Sequence, residues 1–178
     1  MASTSGMRGM VTLLLLMLSG FPAVLGDADF VARTCDTTAH PDACLSVLGG
    51  DPRSLNATTV LTLAGIGLDA AAAHAGDSAA AMGELSDEKY TGTAEGDALT
   101  QCAQLYGYAV EHLGEAREEL YSGAYDEASS LVSAAEDAGG ACEKAFADRG
   151  VGSVVGDVDG RMAERCSVAW DLIDLLNV

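Results

Sequence analysis

The sequence predicts an all-α protein: an up-down-up-down four-helix bundle preceded by an N-terminal helical hairpin and stapled by two disulfides. Three observations carry that prediction. Residues are 49% hydrophobic but only 5% aromatic. Most of the apolar set is alanine and aliphatic residues, which suits closely packed helices better than a sheet wanting Val, Ile, Thr and aromatics. Apolar positions recur every three or four residues over long stretches. Five cysteines follow a leader-like N-terminus, and export brings thiols into an oxidising pathway that pairs them.

Residues 1–26 are read as a cleaved secretory signal peptide. Arg8 supplies the positive start, Val11 to Leu18 form the apolar run, and Gly20 and Pro22 break it ahead of small residues at Val24 and Gly26. That run falls short of the roughly 20 apolar residues a spanning helix needs. The mature chain, 27–178, is expected to be one domain, with a helical hairpin over 27–51 and a four-helix bundle over 56–177.

In the hairpin, Cys35 and Cys44 flank Pro41, and a short helix-turn-helix between them could close as Cys35–Cys44. The first bundle helix is expected from Asn56 to about Leu85, with Val60, Leu61, Leu63, Ala64 and Leu68 on its apolar side, ended by a polar, Gly-containing break over Ser86 to Gly96. Leu99, Cys102, Tyr106, Ala109, Leu113, Ala116 and Leu120 mark the second helix, with Glu111, Glu115, Glu118 and Glu119 off that stripe. After Ser122-Gly123 a third stripe runs through Ala124, Ala128, Leu131, Ala135, Ala138, Cys142 and Ala145. The fourth runs through Val155, Val158, Met162, Cys166, Ala169, Ile173 and Leu176. Short connections make such helices pack antiparallel.

Five cysteines allow 15 arrangements of two bridges and one free thiol. In an antiparallel hairpin, residues equidistant from the turn lie at one height, and Cys102 and Cys142 are centred on residue 122, so they are expected to pair. Cys166 is left over. It is read as a buried, inert free thiol, the alternative being an intermolecular disulfide. Neither the cysteine spacing nor the separated His40, His74 and His112 suggests a metal site. Asn56-Ala57-Thr58 is an N-glycosylation sequon.

The chain carries 27 acidic and 9 basic residues, a net charge of -18; without the leader and its Arg8 the balance is -19. Such a surface argues against nucleic acid and membranes as partners, and the basic residues are scattered singly. No GxSxG, HExxH or phosphate-loop motif is present. His74 or His112 could meet Ser78 or Ser122 in space, but each reads as structural on a regular helix. No catalytic residue, cofactor or metal is expected. Glu84, Asp87, Glu88 and the four glutamates of the second helix read as solvated faces, some of which can steer a basic partner.

The residues also carry a family resemblance. Thr34-Cys35-Asp36-Thr37-Thr38, followed by His40-Pro41-Asp42-Ala43-Cys44-Leu45, resembles the N-terminal Cys-x8-Cys hairpin of the plant invertase and pectin methylesterase inhibitor family. Gln101-Cys102-Ala103-Gln104-Leu105-Tyr106 resembles that family's third-cysteine helix. Tyr125-Asp126-Glu127-Ala128, Ser133-Ala134-Ala135 and Cys142-Glu143-Lys144-Ala145-Phe146 resemble the helix bearing the fourth cysteine. The resemblance implies a hairpin and bundle with bridges first to second and third to fourth. It also implies a secreted or vacuolar protein, here expected in the apoplast, that performs no chemistry and blocks the active-site cleft of pectin methylesterase or acid invertase. Complexes in the family use the bundle helices, which makes the exposed faces of 95–121 and 124–148 the interface candidates.

Gly139-Gly140 departs from the family's polar, helix-compatible residues, which puts local helix regularity there in doubt. Inhibitors of invertase often carry Pro-Lys-Phe between the second and third bundle helices, whereas this chain has Tyr121-Ser122-Gly123-Ala124-Tyr125. Pectin methylesterase is therefore the preferred target and acid invertase the alternative. A reading of another class, an extracellular carrier of a small apolar ligand, requires a cavity that alanine-rich stripes disfavour.

Overall fold

Helix ends here are set by local chemistry. The structure, a computed structural model, describes residues 26–177, among which it contains six α-helices and no strand. These are α1 (Gly26–Cys35), α2 (Pro41–Gly49), α3 (Val60–Glu88), α4 (Ala94–Ser122), α5 (Tyr125–Asp148) and α6 (Gly156–Asp174), with a 3-10 turn over Pro52–Asn56. Pro41 opens α2, where its missing N–H is harmless. The Thr59 and Thr93 hydroxyls cap α3 and α4 by accepting from the N–H groups of Thr62 and Gly96. Gly123, at φ 87°, closes α4 in the left-handed conformation that favours glycine. The Ala124 N–H then reaches back to the Glu119 carbonyl at 3.0 Å, and the chain reverses into α5.

The four long helices form a square: α3 packs mainly on α4 and α6, and α5 on the same two neighbours. Leu63, Leu68, Leu99, Tyr106, Leu113, Leu120, Val132, Phe146, Met162 and Leu172 are buried between them, each large side chain contributing roughly 1.5–3 kcal/mol by leaving water. Small residues set the spacing. Ala71, Ala75, Ala109, Ala116, Ala135 and Ala169 are buried, and a Cβ at Gly67 would already touch Leu172 Cδ1 at 3.4 Å. A disulfide joins Cys102 on α4 to Cys142 on α5 with their Cα atoms 4.8 Å apart.

A second disulfide, Cys35 to Cys44, fastens α1 to α2, and this hairpin packs on α3 and α6. Asp171 on α6, 4% exposed, anchors it by accepting from the His40 backbone N–H and contacting His40 Nδ1, both at 3.0 Å. The 3-10 turn is tied on through Arg53, whose guanidinium bridges Asp51 and Asp69, while Arg117 of α4 reaches the other Asp69 oxygen at 2.9 Å. Arg53 beside Asp51 holds that carboxyl below its ordinary range.

Several sequence expectations are corrected. The first bundle helix starts at Val60 rather than Asn56, because Asn56 ends the 3-10 turn and Thr59 supplies the cap. The break is shorter than Ser86–Gly96, since α3 runs to Glu88 and α4 starts at Ala94. The buried Ser86 hydroxyl bonds the Gly96 carbonyl at 2.9 Å and draws those ends together. Leu131 is only half-buried while Val132 is fully buried. α5 continues unbroken through Gly139-Gly140, and Gly139 is where α6 comes close: a Cβ there would lie 3.2 Å from Asp159 Cβ. Of the expected leader, 1–26, all but Gly26 lies outside the described residues.

Two glycines of α4 should respond oppositely to alanine. A Cβ at Gly96 collides with the Tyr90 backbone carbonyl, whereas Gly114 faces open space. Gly96→Ala is expected to lose roughly 1–3 kcal/mol through overpacking. Gly114→Ala should gain roughly 0.5–1 kcal/mol from helix propensity. Urea unfolding of both variants checks this, and a stabilised Gly96→Ala would contradict the packing described.

Candidate protein-docking face

The seam between α4 and α5 carries the most prominent surface relief on the interface candidates. Because α5 presents Ala134, Ala138 and Ala141 there, its wall is low. Together with Leu105, Tyr108, Ala109 and His112 of α4 these residues line a shallow groove of about 220 Å³. It continues past Leu105 and Tyr108 into an open hollow of about 500 Å³ bordered by Asp97, Thr100, Gln101, Gln104 and Arg149. Tyr108 rises between the two and is 60% exposed. Its ring lies off the apolar stripe that buries Tyr106 and Ala109 on the same helix. An aromatic anchor over a small-residue floor, with amide and charged groups around it, is the composition of a protein-binding hot spot. His112 Nδ1 is buried in this groove without a hydrogen-bond partner.

Asp97 and Asp137 border the two hollows, and further carboxylates lie on the outer faces of α3 and α4. Asp97, Glu111, Glu115, Glu118 and Asp137 are exposed, and Glu119 is half-buried. Glu84, Asp87 and Glu88 are exposed at the end of α3. One expectation is sharpened by the fold: the basic residues are not all isolated in space, since Arg161 and Arg165 of α6 line a common groove with His74 of α3.

Of the histidines and serines weighed as catalytic candidates, His74 and Ser78 line one groove, but no hydrogen bond joins them and the His74 ring is engaged elsewhere. His74 Nε2 donates to the Val158 carbonyl at 3.1 Å, and burial holds its pKa below the ordinary value. Ser122 is exposed and donates to the Glu119 carbonyl. Ser78 is 7% exposed inside α3. No group of three His, Cys, Asp or Glu suited to a metal exists among the described residues. Cys166 is buried and has no disulfide partner, with its thiol pushed up to about 12 by burial and by Glu136, so it stays protonated and unreactive. Asn56 is exposed beside the buried Ala57.

Sequence reasoning missed two features. Tyr108 could have been found as the aromatic residue lying off the second helix's apolar stripe. The buried contact of Tyr106 with Asp159, 2.6 Å from hydroxyl to carboxylate, leaves no such signal, because an aspartate in an acidic helix looks solvated.

A doubly stapled helical bundle with an aromatic-centred groove flanked by carboxylates has the surface composition expected of a protein-binding module. Comparison with known proteins gives the class a family. The sequence matches the plant invertase/pectin methylesterase inhibitor family over residues 29–172, and the chain belongs to that family. It is 28% identical over 171 residues to a pectinesterase inhibitor of Actinidia deliciosa, covering 94% of this chain and 90% of that protein. It is 31% identical over 154 residues to a cell wall / vacuolar inhibitor of fructosidase from Arabidopsis thaliana, covering 82% of each. The fold is similar to the crystal structure of a mutant form of a pectin methylesterase inhibitor from Arabidopsis, with a TM-score of 0.66, 25% identity and coverage of 82% of this chain and 95% of that one. These relatives are named as enzyme inhibitors, not catalysts.

Proposed function

We propose that this protein is a secreted inhibitor of pectin methylesterase that lays the α4–α5 seam across the enzyme's active-site cleft and so regulates pectin de-esterification in the cell wall. The observation that carries the reading is the match, over nearly the full length of both chains, to a protein named pectinesterase inhibitor. Tyr108 is the anchor of this interface, the alanine floor admits a protruding enzyme side chain, and the carboxylate rim orients a basic target surface. The mechanism is occlusion. No bond is made or broken by the inhibitor, and the two disulfides keep its docking face ordered before binding, which lowers the entropic cost of association. Asn56, exposed and next to a surface turn, is a glycan acceptor on this reading.

Acid invertase is the second target to consider, favoured by the relative named as an inhibitor of fructosidase. Against it stands the turn at 121–125, which lacks Pro-Lys-Phe. The carrier reading has less support, because the larger hollow on the docking face is an open surface feature bordered by Asp97, Gln101, Gln104 and Arg149.

Titrating a plant pectin methylesterase with the purified, oxidised protein should remove its activity as the two reach equal concentration. Full activity in a large excess of the protein would refute the proposal. Charge steering predicts that complex formation weakens as salt rises, because the screening length falls from about 10 Å at 0.1 M to about 3 Å at 1 M. An affinity that is flat over that range would remove the role given to the carboxylate rim.

A further inference from the structure

Two aspartates are buried among the described residues, Asp171 at 4% and Asp159 at 9% exposure. Asp171 is satisfied by His40. Asp159 is only half satisfied. Its Oδ1 accepts from the Tyr106 hydroxyl at 2.6 Å, while its Oδ2 is buried with no donor. The charged group that acts on Asp159 from α5 is another carboxyl, that of Glu143, whose Oε1 accepts from Ser153 Oγ at 2.5 Å. A buried carboxylate oxygen with no donor and a like charge on the neighbouring helix favours the neutral, protonated acid. The neighbourhood offers no other compensation. Gly139 packs against Asp159 so closely that a Cβ would stand 3.2 Å away, and no Lys or Arg among the described residues pairs with Asp159 or Glu143.

We infer that the buried Asp159 carboxyl holds a proton at the α5–α6 junction, and that this proton makes the bundle firmest in acid and looser toward neutral pH. The inference concerns the fold alone and stands whichever enzyme is the target. Burial pushes the Asp159 carboxyl up to about 7, Tyr106 pulling it down and Glu143 adding to the rise. An unfolded aspartate titrates near ~3.9. Between these values the folded chain keeps a proton that the unfolded chain has released. The stabilisation is therefore complete below about 4 and is lost as pH rises through about 7, by up to tenfold in the folding equilibrium per pH unit.

The surrounding groups either leave this window alone or can be separated from it. From α4 the Tyr106 phenol is pushed far above its ordinary value by burial and by Asp159. On α6 the Cys166 thiol stays protonated. From α5 Glu136, raised by burial and by Asp137, adds in the same sense as Asp159. From α3 His74, bonded to the carbonyl of Val158 and lying near Arg161 and Arg165, is lowered by burial and acts with the opposite sign. The difference between the wild type and an Asp159 variant isolates Asp159.

The test is urea unfolding of the oxidised protein from about pH 4 to 8. In Asp159→Asn the titrating group is gone while the amide carbonyl can still accept from the Tyr106 hydroxyl. That variant should keep its acid stability and lose most of the wild-type decline between about pH 5 and 7. Glu143→Gln, which removes the like charge, should shift the decline toward lower pH and carries the test if the first variant does not fold. A wild-type slope in either variant, or an Asp159 carboxyl resonance titrating like a free aspartate, would overturn the inference.

Discussion

Replacing Cys102 and Cys142 together by alanine is expected to lower the unfolding free energy by about 4 kcal/mol, the largest stability effect anticipated for this fold. The bridge closes a loop of sequence separation 40, and the loop-closure entropy it removes from the unfolded chain corresponds to about 4 kcal/mol at 25 °C. Loss of the buried sulfur contacts acts in the same direction, since both cysteines are fully buried. The Cys35 to Cys44 bridge spans a separation of only 9, which the same relation values at about 3 kcal/mol. Urea unfolding of each alanine pair, beside peptide mapping of the parent, measures both. A Cys102/Cys142 variant as stable as the parent would contradict the stapled-bundle account.

Tyr108→Ala should be the most damaging single change to inhibition. Its side chain is 60% exposed and makes no hydrogen bond among the described residues, so the variant should fold with nearly parental stability. Truncating an aromatic hot spot costs about 2 kcal/mol or more of binding, or roughly 30-fold in inhibition constant. Trp170→Ala is the control: it removes another exposed aromatic, 41% exposed, on α6 away from the α4–α5 seam. Inhibition should survive that change. Equal loss in both variants would move the interface off the seam, and no loss in Tyr108→Ala would remove its anchor.

The second helix was the most legible part of this chain. All seven residues of its predicted stripe, Leu99 to Leu120, are buried, because large aliphatic and aromatic side chains alternate there with glutamates. On α5 five of the seven predicted positions, Ala128, Ala135, Ala138, Cys142 and Ala145, are buried, while Ala124 and Leu131 are half-buried. The buried face is wider than the stripe and also takes in Val132, Gly139 and Phe146, and a glycine does not announce itself as a core position until a neighbouring helix is seen against it. The start of α3 was displaced for a related reason: a sequon and a helix cap draw on the same small polar residues, and only the backbone distinguishes Asn56 from Thr59.

The candidate site was half legible. The outward faces of 95–121 and 124–148 followed from the stripes and the family resemblance, but the groove depends on where Ala134, Ala138 and Ala141 fall opposite Tyr108. That register is a product of packing. The unsatisfied Asp159 oxygen could not be read from the sequence at all, since its burial depends on three helices and a glycine meeting at one point.

The central claim, inhibition of pectin methylesterase, is tested most directly by assaying a plant pectin methylesterase and an acid invertase in parallel against one preparation of the purified, oxidised protein. The account predicts that pectin methylesterase activity falls to baseline while invertase activity is unchanged. Inhibition of the invertase alone would contradict it.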